Sequence, residues 1–423
     1  MIFYLILLFA LDVTLQHAKL WRALSYFNRL KQNLEILKHR KNTEDFEIQI
    51  LIPVLWERGI ISDVINYFSK ILENSRINLG KISLVIIGSI KEINDPNGTL
   101  ETAERYITNH KLKNINIVKC PILGSKATQL NYYINQNRGK HIWYFIFDVD
   151  SRPEKNFLRL FFSGKPLVKN IYQMPSNYLS NVSDHGNPVR NAFAMNQTIF
   201  SLNTEFYNSL ECNPLKKFTS NSLMGHGLII NQYLLDKLGG FPDPVEDSRL
   251  ANIATLRGIK VKMIPIFDYS SVPEHLSTLL MQYSGWFFGQ IFIFKDMRVI
   301  FRKKYSLNIY LKFFHRVIVN LYWIFKTPFI VGVLSALVFT RQFNLLIIFM
   351  YIQILNHVKI LYLNRLSPQN RLTTKHIFHS ILWDFLYSLG PLLFFIRLLK
   401  KRISKNSSLE LLPKTEKNKF NTN

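Results

Sequence analysis

Three apolar windows near the end of the chain constrain its architecture most. Val317 to Phe339 reads VIVNLYWIFKTPFIVGVLSALVF, 23 residues with Lys326 as the only charge. Phe343 to Leu363 reads FNLLIIFMYIQILNHVKILYL, and Ile377 to Ile396 reads IFHSILWDFLYSLGPLLFFI. Each is close to the ~20 residues a helix needs to cross roughly 30 Å of hydrocarbon. Only Thr340, Arg341 and Gln342 separate the first two, which predicts a tight membrane hairpin. Lys326, Lys359 and Asp384 would also suit the buried core of a soluble helical protein, but three such windows in 80 residues favour spans. If the hairpin leaves and re-enters the cytoplasm, Arg365, Arg371 and Lys375 lie inside, as the positive-inside bias prefers. A full third span would then export Arg397, Lys400, Lys401 and Arg402, against that bias. Gly390-Pro391 offers a break into a re-entrant or interfacial element instead.

The opening MIFYLILLFALDVTL is apolar too, but as a helix its 15 residues reach only ~22 Å. It lacks a basic leader region and a small-residue cleavage site, so it reads as an uncleaved anchor or embedded helix. Lys19, Arg22, Arg29 and Lys31 follow it and place its far end in the cytoplasm.

The charge balance narrows the partners. Fifty-three Lys+Arg stand against 28 Asp+Glu, a formal +25, which favours anionic partners. No nucleic-acid-binding motif accompanies that charge, and much of it flanks the apolar windows, so membrane lipids are the expected partner and nucleic acid is not. Lys295, Arg298, Arg302, Lys303, Lys304, Lys312 and Arg316 suit anionic headgroups at roughly 1 kcal/mol each. With two cysteines, Cys120 and Cys212, a disulfide scaffold and a zinc ribbon are excluded.

Residues 45–275 read as an α/β domain. Apolar runs at Ile48–Val54, Ser83–Gly88, Ile115–Lys119 and Ile142–Phe147 alternate with helical patterns at Ile61–Asn74 and Leu100–Asn109. Alternation of this kind predicts a mainly parallel sheet with crossover helices, whose ligands bind beyond the C-terminal strand ends. Two of those ends carry acid. The first strand stops at Pro53 and delivers Glu57; the fourth delivers Asp148 and Asp150, two apart. A strand leaving the sheet can aim both carboxylates at one divalent cation, and Mg²⁺ or Mn²⁺ takes such hard oxygens together with substrate phosphate. Upstream, Gly124-Ser125-Lys126-Ala127 lacks the leading glycine of a phosphate loop, which leaves a helix-start lysine able to meet a phosphate. Downstream, Asn231 caps a helix that Gly239 ends, and Glu246-Asp247 opens another, Ser248 to Leu256. The dipole there favours an ionised Asp247. His226, between two glycines, reads as a loop histidine rather than a ligand.

In order along the chain, IPVLWE, Gly124-Ser125-Lys126-Ala127 with Leu130-Asn131, DVDSRP and GGFPDPVED resemble the family 2 glycosyltransferases, membrane-bound synthase type. The resemblance covers residues 45 to about 290, and the span layout extends it to about 396. It implies a nucleotide-binding α/β domain of the GT-A fold. It also implies inverting transfer from a nucleotide-sugar, UDP-linked, to a carbohydrate or lipid-linked acceptor in polysaccharide or glycolipid synthesis. By position, Asp148 and Asp150 would hold the metal and the donor diphosphate, and Asp247 would be the general base. Pro53, Glu57 and Lys126 would line the donor pocket, while Glu246, Gln282 and Trp286 would face the acceptor. The layout implied is a membrane anchor and linker at 1–44, the GT-A domain at 45–275, interfacial helices at 276–316, transmembrane helices at 317–396 and a basic tail at 397–423. Such a protein would be integral to the membrane, with its catalytic domain in the cytoplasm.

Two positions depart from the family pattern. Gly285 stands where the Gln-x-x-Arg-Trp signature has Arg, and LVIIGSIKE lacks the Asp that grips the nucleobase, leaving Ser89 or Glu92 as substitutes. The first departure leaves a second reading open, a non-catalytic membrane scaffold or partner subunit that keeps a degenerate transferase fold.

Overall fold

A computed structural model describes residues 2–37, 46–74, 82–92, 95–139, 141–302, 305–366 and 371–404. Those residues form two compact units. Of the described residues, one comprises those in 27–176 and 220–271; the other comprises those in 2–26, 177–219 and 272–404.

The first unit is built on a seven-stranded sheet. Its leading elements are β1 (Glu47–Val54), α2 (Ile61–Asn74), β2 (Ile82–Ser89), α3 (Thr99–Asn109), β3 (Ile115–Cys120), α4 (Lys126–Gln136) and β4 (Ile142–Ile146), preceded by α1 (Ile2–Leu37). The spatial order is β3-β2-β1-β4, then Leu228–Asn231, Asn170–Gln173 and Lys260–Met263. The first four strands are parallel, with Val54 opposite Gly88 and Leu51 opposite Ile146. Leu228–Asn231 runs antiparallel to both its neighbours. The sheet is therefore mainly parallel, as expected.

Burial on both faces explains why β1 reads as a largely apolar run, interrupted by Gln49. Ile48, Ile50, Ile52 and Val54 pack with Ile61, Val64, Ile65 and Phe68 of α2. Leu51 lies in the opposite layer with Ala127, Leu130, Tyr133 and Ile134 of α4. After β1 the chain crosses to one side through β2 and β3, then returns to place β4 on the other. The order thus reverses between β1 and β4, which opens a crevice beyond their C-terminal ends.

The second unit is helical. Among the described residues, four helices are long and apolar enough to cross a membrane: Ile2–Leu37, Leu307–Phe339, Phe343–Arg365 and Thr374–Lys400. Details differ from the sequence reading. The N-terminal helix is 36 residues long, not 15, because Leu20, Ala23, Leu24 and Phe27 continue a buried stripe at helical spacing. The first hairpin helix begins at Leu307, ten residues before the apolar window. The second is α-helical through Val358 and then tightens to a 3₁₀-helix over Lys359–Arg365. The third window breaks between Thr374–Leu386 and Leu389–Ser404, just ahead of Gly390-Pro391. Thr327 satisfies the freed backbone there: its Oγ1 donates to Asp384 O (2.6 Å) and accepts from Ser388 N (3.2 Å). Helix Pro188–Phe200 belongs to this unit, although its sequence falls inside the α/β stretch. The linker at 38–45, Lys303, Lys304 and the tail from 405 lie outside the described residues.

Candidate active site

The crevice beyond β1 and β4 is where the charged side chains gather. β4 ends at Ile146, Phe147 N still bonds Leu51 O (3.0 Å), and a turn closed by Ser151 N on Asp148 O (3.0 Å) presents Asp148 and Asp150. Asp150 is buried and its Oδ2 accepts from Ser271 Oγ at 3.1 Å. Asp148 is partly exposed.

Ser125 starts α4 by capping it, its Oγ accepting from Ala127 N (3.2 Å) in a capping box with Thr128. That fixes Lys126 at the first helical position. Its Nζ lies 2.7 Å from Asp148 Oδ1 and 3.3 Å from Glu246 Oε1, and it also donates to Gly225 O. Asn131, one turn further, holds Phe241 at both backbone atoms (2.7 and 2.8 Å). Gly239 and Gly240 take the left-handed conformation ahead of it (φ 84° and 82°). Ser125 Oγ donates to Asp243 Oδ1 at 2.6 Å. These contacts pin the GGFPDP turn to α4 and so deliver Glu246-Asp247 to Lys126. The helix opened there spans Glu246–Leu256, two residues earlier than expected, which puts both acids in its first turn. Asp247 Oδ1 accepts from Ser248 N at 2.5 Å. Gly225 is the floor of the cluster: a Cβ there would meet Glu246 Oε1 and Lys126 Nζ at 3.1 Å and Asp247 Oδ2 at 3.4 Å. Burial, with Asp247 adjacent, pushes the Glu246 carboxyl above its ordinary value, although Lys126 opposes the rise.

The pair Asp148 and Asp150 fits a divalent ion of the Mg²⁺ or Mn²⁺ kind. Both donors are hard carboxylate oxygens, and no third His, Cys, Asp or Glu completes a metal cluster among the described residues. An ion held by two carboxylates takes its remaining ligands from phosphate and water, the arrangement Mg²⁺ favours.

Other expected residues have local roles. Pro53 lies inside β1, opposite Ile87, and the strand runs on to Val54. Glu57 Oε2 accepts from Leu55 N (2.9 Å), and Glu57 O accepts from Ile60 N and Ile61 N at the start of α2. Glu92 is buried, its Oε2 taking Trp56 N (3.2 Å), Thr99 N (3.3 Å) and Thr99 Oγ1 (2.8 Å). Gln282 and Trp286 lie on Leu276–Arg302 in the helical unit. Trp286 stacks on Phe193 at 6.0 Å, and Gln282 Oε1 is buried with no hydrogen-bond partner among the described residues.

Sequence reasoning passed over two features here, Gln129 and Trp56, and read His226 only as a loop histidine. Gln129 reaches from α4 to Val54 O (2.9 Å) and Ile87 O (3.1 Å), closing the ends of β1 and β2. Trp56 is 53% exposed with φ 57°, a left-handed conformation rarely adopted by a bulky residue. His226 is held: its Nδ1 is 2.7 Å from Asp268 Oδ2. Burial disfavours its charge, but Asp268 outweighs that, helped by Asp148 and Asp150, and the imidazole pKa rises.

No protein-family model matches the chain, and no curated protein does. Among solved structures it is similar to mannosyltransferase PcManGT from Pyrobaculum calidifontis, in complex with GDP-Man and Mn²⁺, at 14% identity over 86% of this chain and 99% of that one (TM-score 0.47). TarS 1-349 of S. aureus matches at 11% identity over 82% of this chain and 92% of that one (TM-score 0.40). Glucosyl-3-phosphoglycerate synthase from Mycobacterium tuberculosis, in complex with UDP, matches at 17% identity over 58% and 75% (TM-score 0.33). No side-chain role is carried over from any of them.

Proposed function

We propose that the chain is a membrane-bound inverting glycosyltransferase of family 2, membrane-bound synthase type, with a GT-A domain facing the cytoplasm. It moves a sugar from a nucleotide-sugar, UDP-linked, to a carbohydrate or lipid-linked acceptor in polysaccharide or glycolipid synthesis. The observation that carries this reading is Lys126, whose ammonium joins Asp148 to Glu246 beyond the ends of β1 and β4.

Each residue then has a task. Asp148 and Asp150 would hold Mg²⁺ or Mn²⁺, which would supply positive charge beside the departing diphosphate. Lys126 starts a helix beside the same point, where its charge and the helix N-terminus suit phosphate oxygens. Trp56 offers an exposed ring for the nucleobase, since Glu92 is engaged by Trp56 N and by Thr99. Asp247 takes the proton of the attacking hydroxyl as the new bond forms. Glu246, paired with Lys126 at 3.3 Å, contacts the acceptor and orients the helix start. For Gln282 and Trp286 the acceptor role comes from the resemblance alone, while the domain limits rest on the sequence reading.

A panel of nucleotide-sugars, assayed with the detergent-solubilised full chain for metal-dependent release of nucleoside diphosphate, tests the reading. Turnover of one donor supports it; a complete panel with no turnover and no donor binding leaves the scaffold reading.

A further inference from the structure

The 3₁₀ segment Lys359–Arg365 is unusual for its length, since such runs seldom exceed 3–4 residues. Its geometry has one clear consequence. With three residues per turn, side chains three apart eclipse one another, so Lys359, Tyr362 and Arg365 form one row.

That row is tied to the N-terminal helix by rings. The Arg365 guanidinium lies over the Trp21 ring, 3.8 Å from its centroid. Tyr362 meets Trp21 edge-on at 5.8 Å and the His17 ring edge-on at 5.5 Å. His17 Nε2 is 2.8 Å from Leu355 O, which can only accept, so Nε2 carries the proton. Nδ1 therefore accepts from the Tyr362 hydroxyl, 3.2 Å away. Trp21 is 45% exposed and Arg365 is exposed. Neither Lys359 nor Arg365 forms an ion pair with a carboxylate among the described residues; Lys359 bonds only Asn356 Oδ1, at 2.8 Å. Below the row, Ile347, Tyr351, Ile354 and Leu355 expose an apolar stripe along the preceding helix.

Two cations thus have no ion-pair partner among the described residues, the exposed Arg365 and the half-buried Lys359, which Asp384 and Asp12 attract at longer range. They sit with a tyrosine hydroxyl and an exposed tryptophan at the end of an apolar helix. We infer that this row binds the headgroup of an anionic phospholipid, with the acyl chains along the stripe. Arg365 and Lys359 face the phosphate, and Trp21 and Tyr362 lie at headgroup depth, where amphipathic rings are favoured. Arg365 is the specific contact, because its planar fork pairs two phosphate oxygens while resting on the indole. The inference rests on the membrane reading of these helices.

The test uses the purified full chain in neutral detergent, with phosphatidylglycerol or phosphatidylcholine added as mixed micelles and thermal unfolding as readout. Phosphatidylglycerol should raise the midpoint and phosphatidylcholine should not. Arg365→Gln should weaken the apparent affinity about fivefold, Arg365→Lys should keep part of it, and Arg138→Gln, an exposed cation of the other unit, should change nothing. Equal effects of the two lipids overturn the inference, as does an Arg138→Gln loss matching that of Arg365→Gln. Displacement by inorganic phosphate at the lipid's concentration would mark a free-anion site and overturn it too. A chain that stays monodisperse without detergent removes the membrane reading itself, whereas one that needs detergent yet ignores headgroup charge removes only the row.

Discussion

Lys126 Nζ sits 2.7 Å from Asp148 Oδ1 and 3.3 Å from Glu246 Oε1, so one ammonium joins the acid turn after β4 to the acid helix start after the GGFPDP turn. Neither carboxylate is fully exposed, and a cation between them offsets repulsion that would otherwise open the site. The same ammonium must share Asp148 with any divalent ion bound there.

Gly225→Ala probes that arrangement with the smallest possible change. The added methyl would lie 3.1 Å from both Glu246 Oε1 and Lys126 Nζ, tighter than most packed contacts. Misplaced catalytic groups are costly, so kcat/KM should fall ~10-fold or more. The unfolding midpoint should move by little, and circular dichroism with steady-state kinetics on one preparation separates the two effects.

Asp247→Asn keeps shape and removes the proton acceptor. A positioned carboxylate contributes ~10²–10⁴-fold, and kcat should drop by that order while donor binding persists. Glu246→Gln should cost less. Kinetics showing the reverse ranking would assign the base to Glu246.

Chelation addresses Asp148 and Asp150. EDTA should abolish turnover, and added Mn²⁺ or Mg²⁺ should restore it. Asp150→Ala should lose metal-dependent nucleotide binding, read by calorimetry with the nucleoside diphosphate. Affinity that is the same with and without metal would reduce the pair to a polar turn.

His226 gives a pH dependence of known sign. Burial opposes its charge, but Asp268 overrides this and lifts its pKa above the ordinary 6.5. Its stabilisation is then complete below 6.5 and is lost as pH rises through the elevated folded value. Unfolding midpoints of the wild type and His226→Gln should lie furthest apart at pH 6 to 6.5 and converge as the buffer becomes alkaline.

Lys326 and Asp384 form a buried ion pair between two helices of the apolar unit, and His357 Nε2 shares Asp384 at 2.8 Å. Removing one partner strands a charge away from water and costs ~3–5 kcal/mol. Asp384→Leu should therefore unfold far more readily in detergent, while Lys326→Met with Asp384→Leu should recover much of the loss. A double variant no better than the single one would locate the cost in His357 rather than Lys326.

Much of this was legible in the residues themselves. Strands β1, β2 and β4 are buried on both faces, so each reads as a short, largely apolar run, and the later apolar windows read as helices long enough to cross a membrane. Asp148 and Asp150 could be found because they follow such a strand directly. What lay beyond reading were contacts between distant positions. Asn131 on Phe241 and Ser125 on Asp243 bring the acid helix to Lys126, and no local pattern encodes them. The tightening at Lys359 and the break at Tyr387–Ser388 depend likewise on neighbours, since Thr327 satisfies the backbone that the break frees. The allegiance of Pro188–Phe200 was hidden for the same reason. Periodicity determines which face of an element is buried, and the sequence alone carries that. Which partner covers the face, and which side chains then meet, is decided only when the whole chain packs, because charged and polar groups gain their pairing from neighbours that folding supplies.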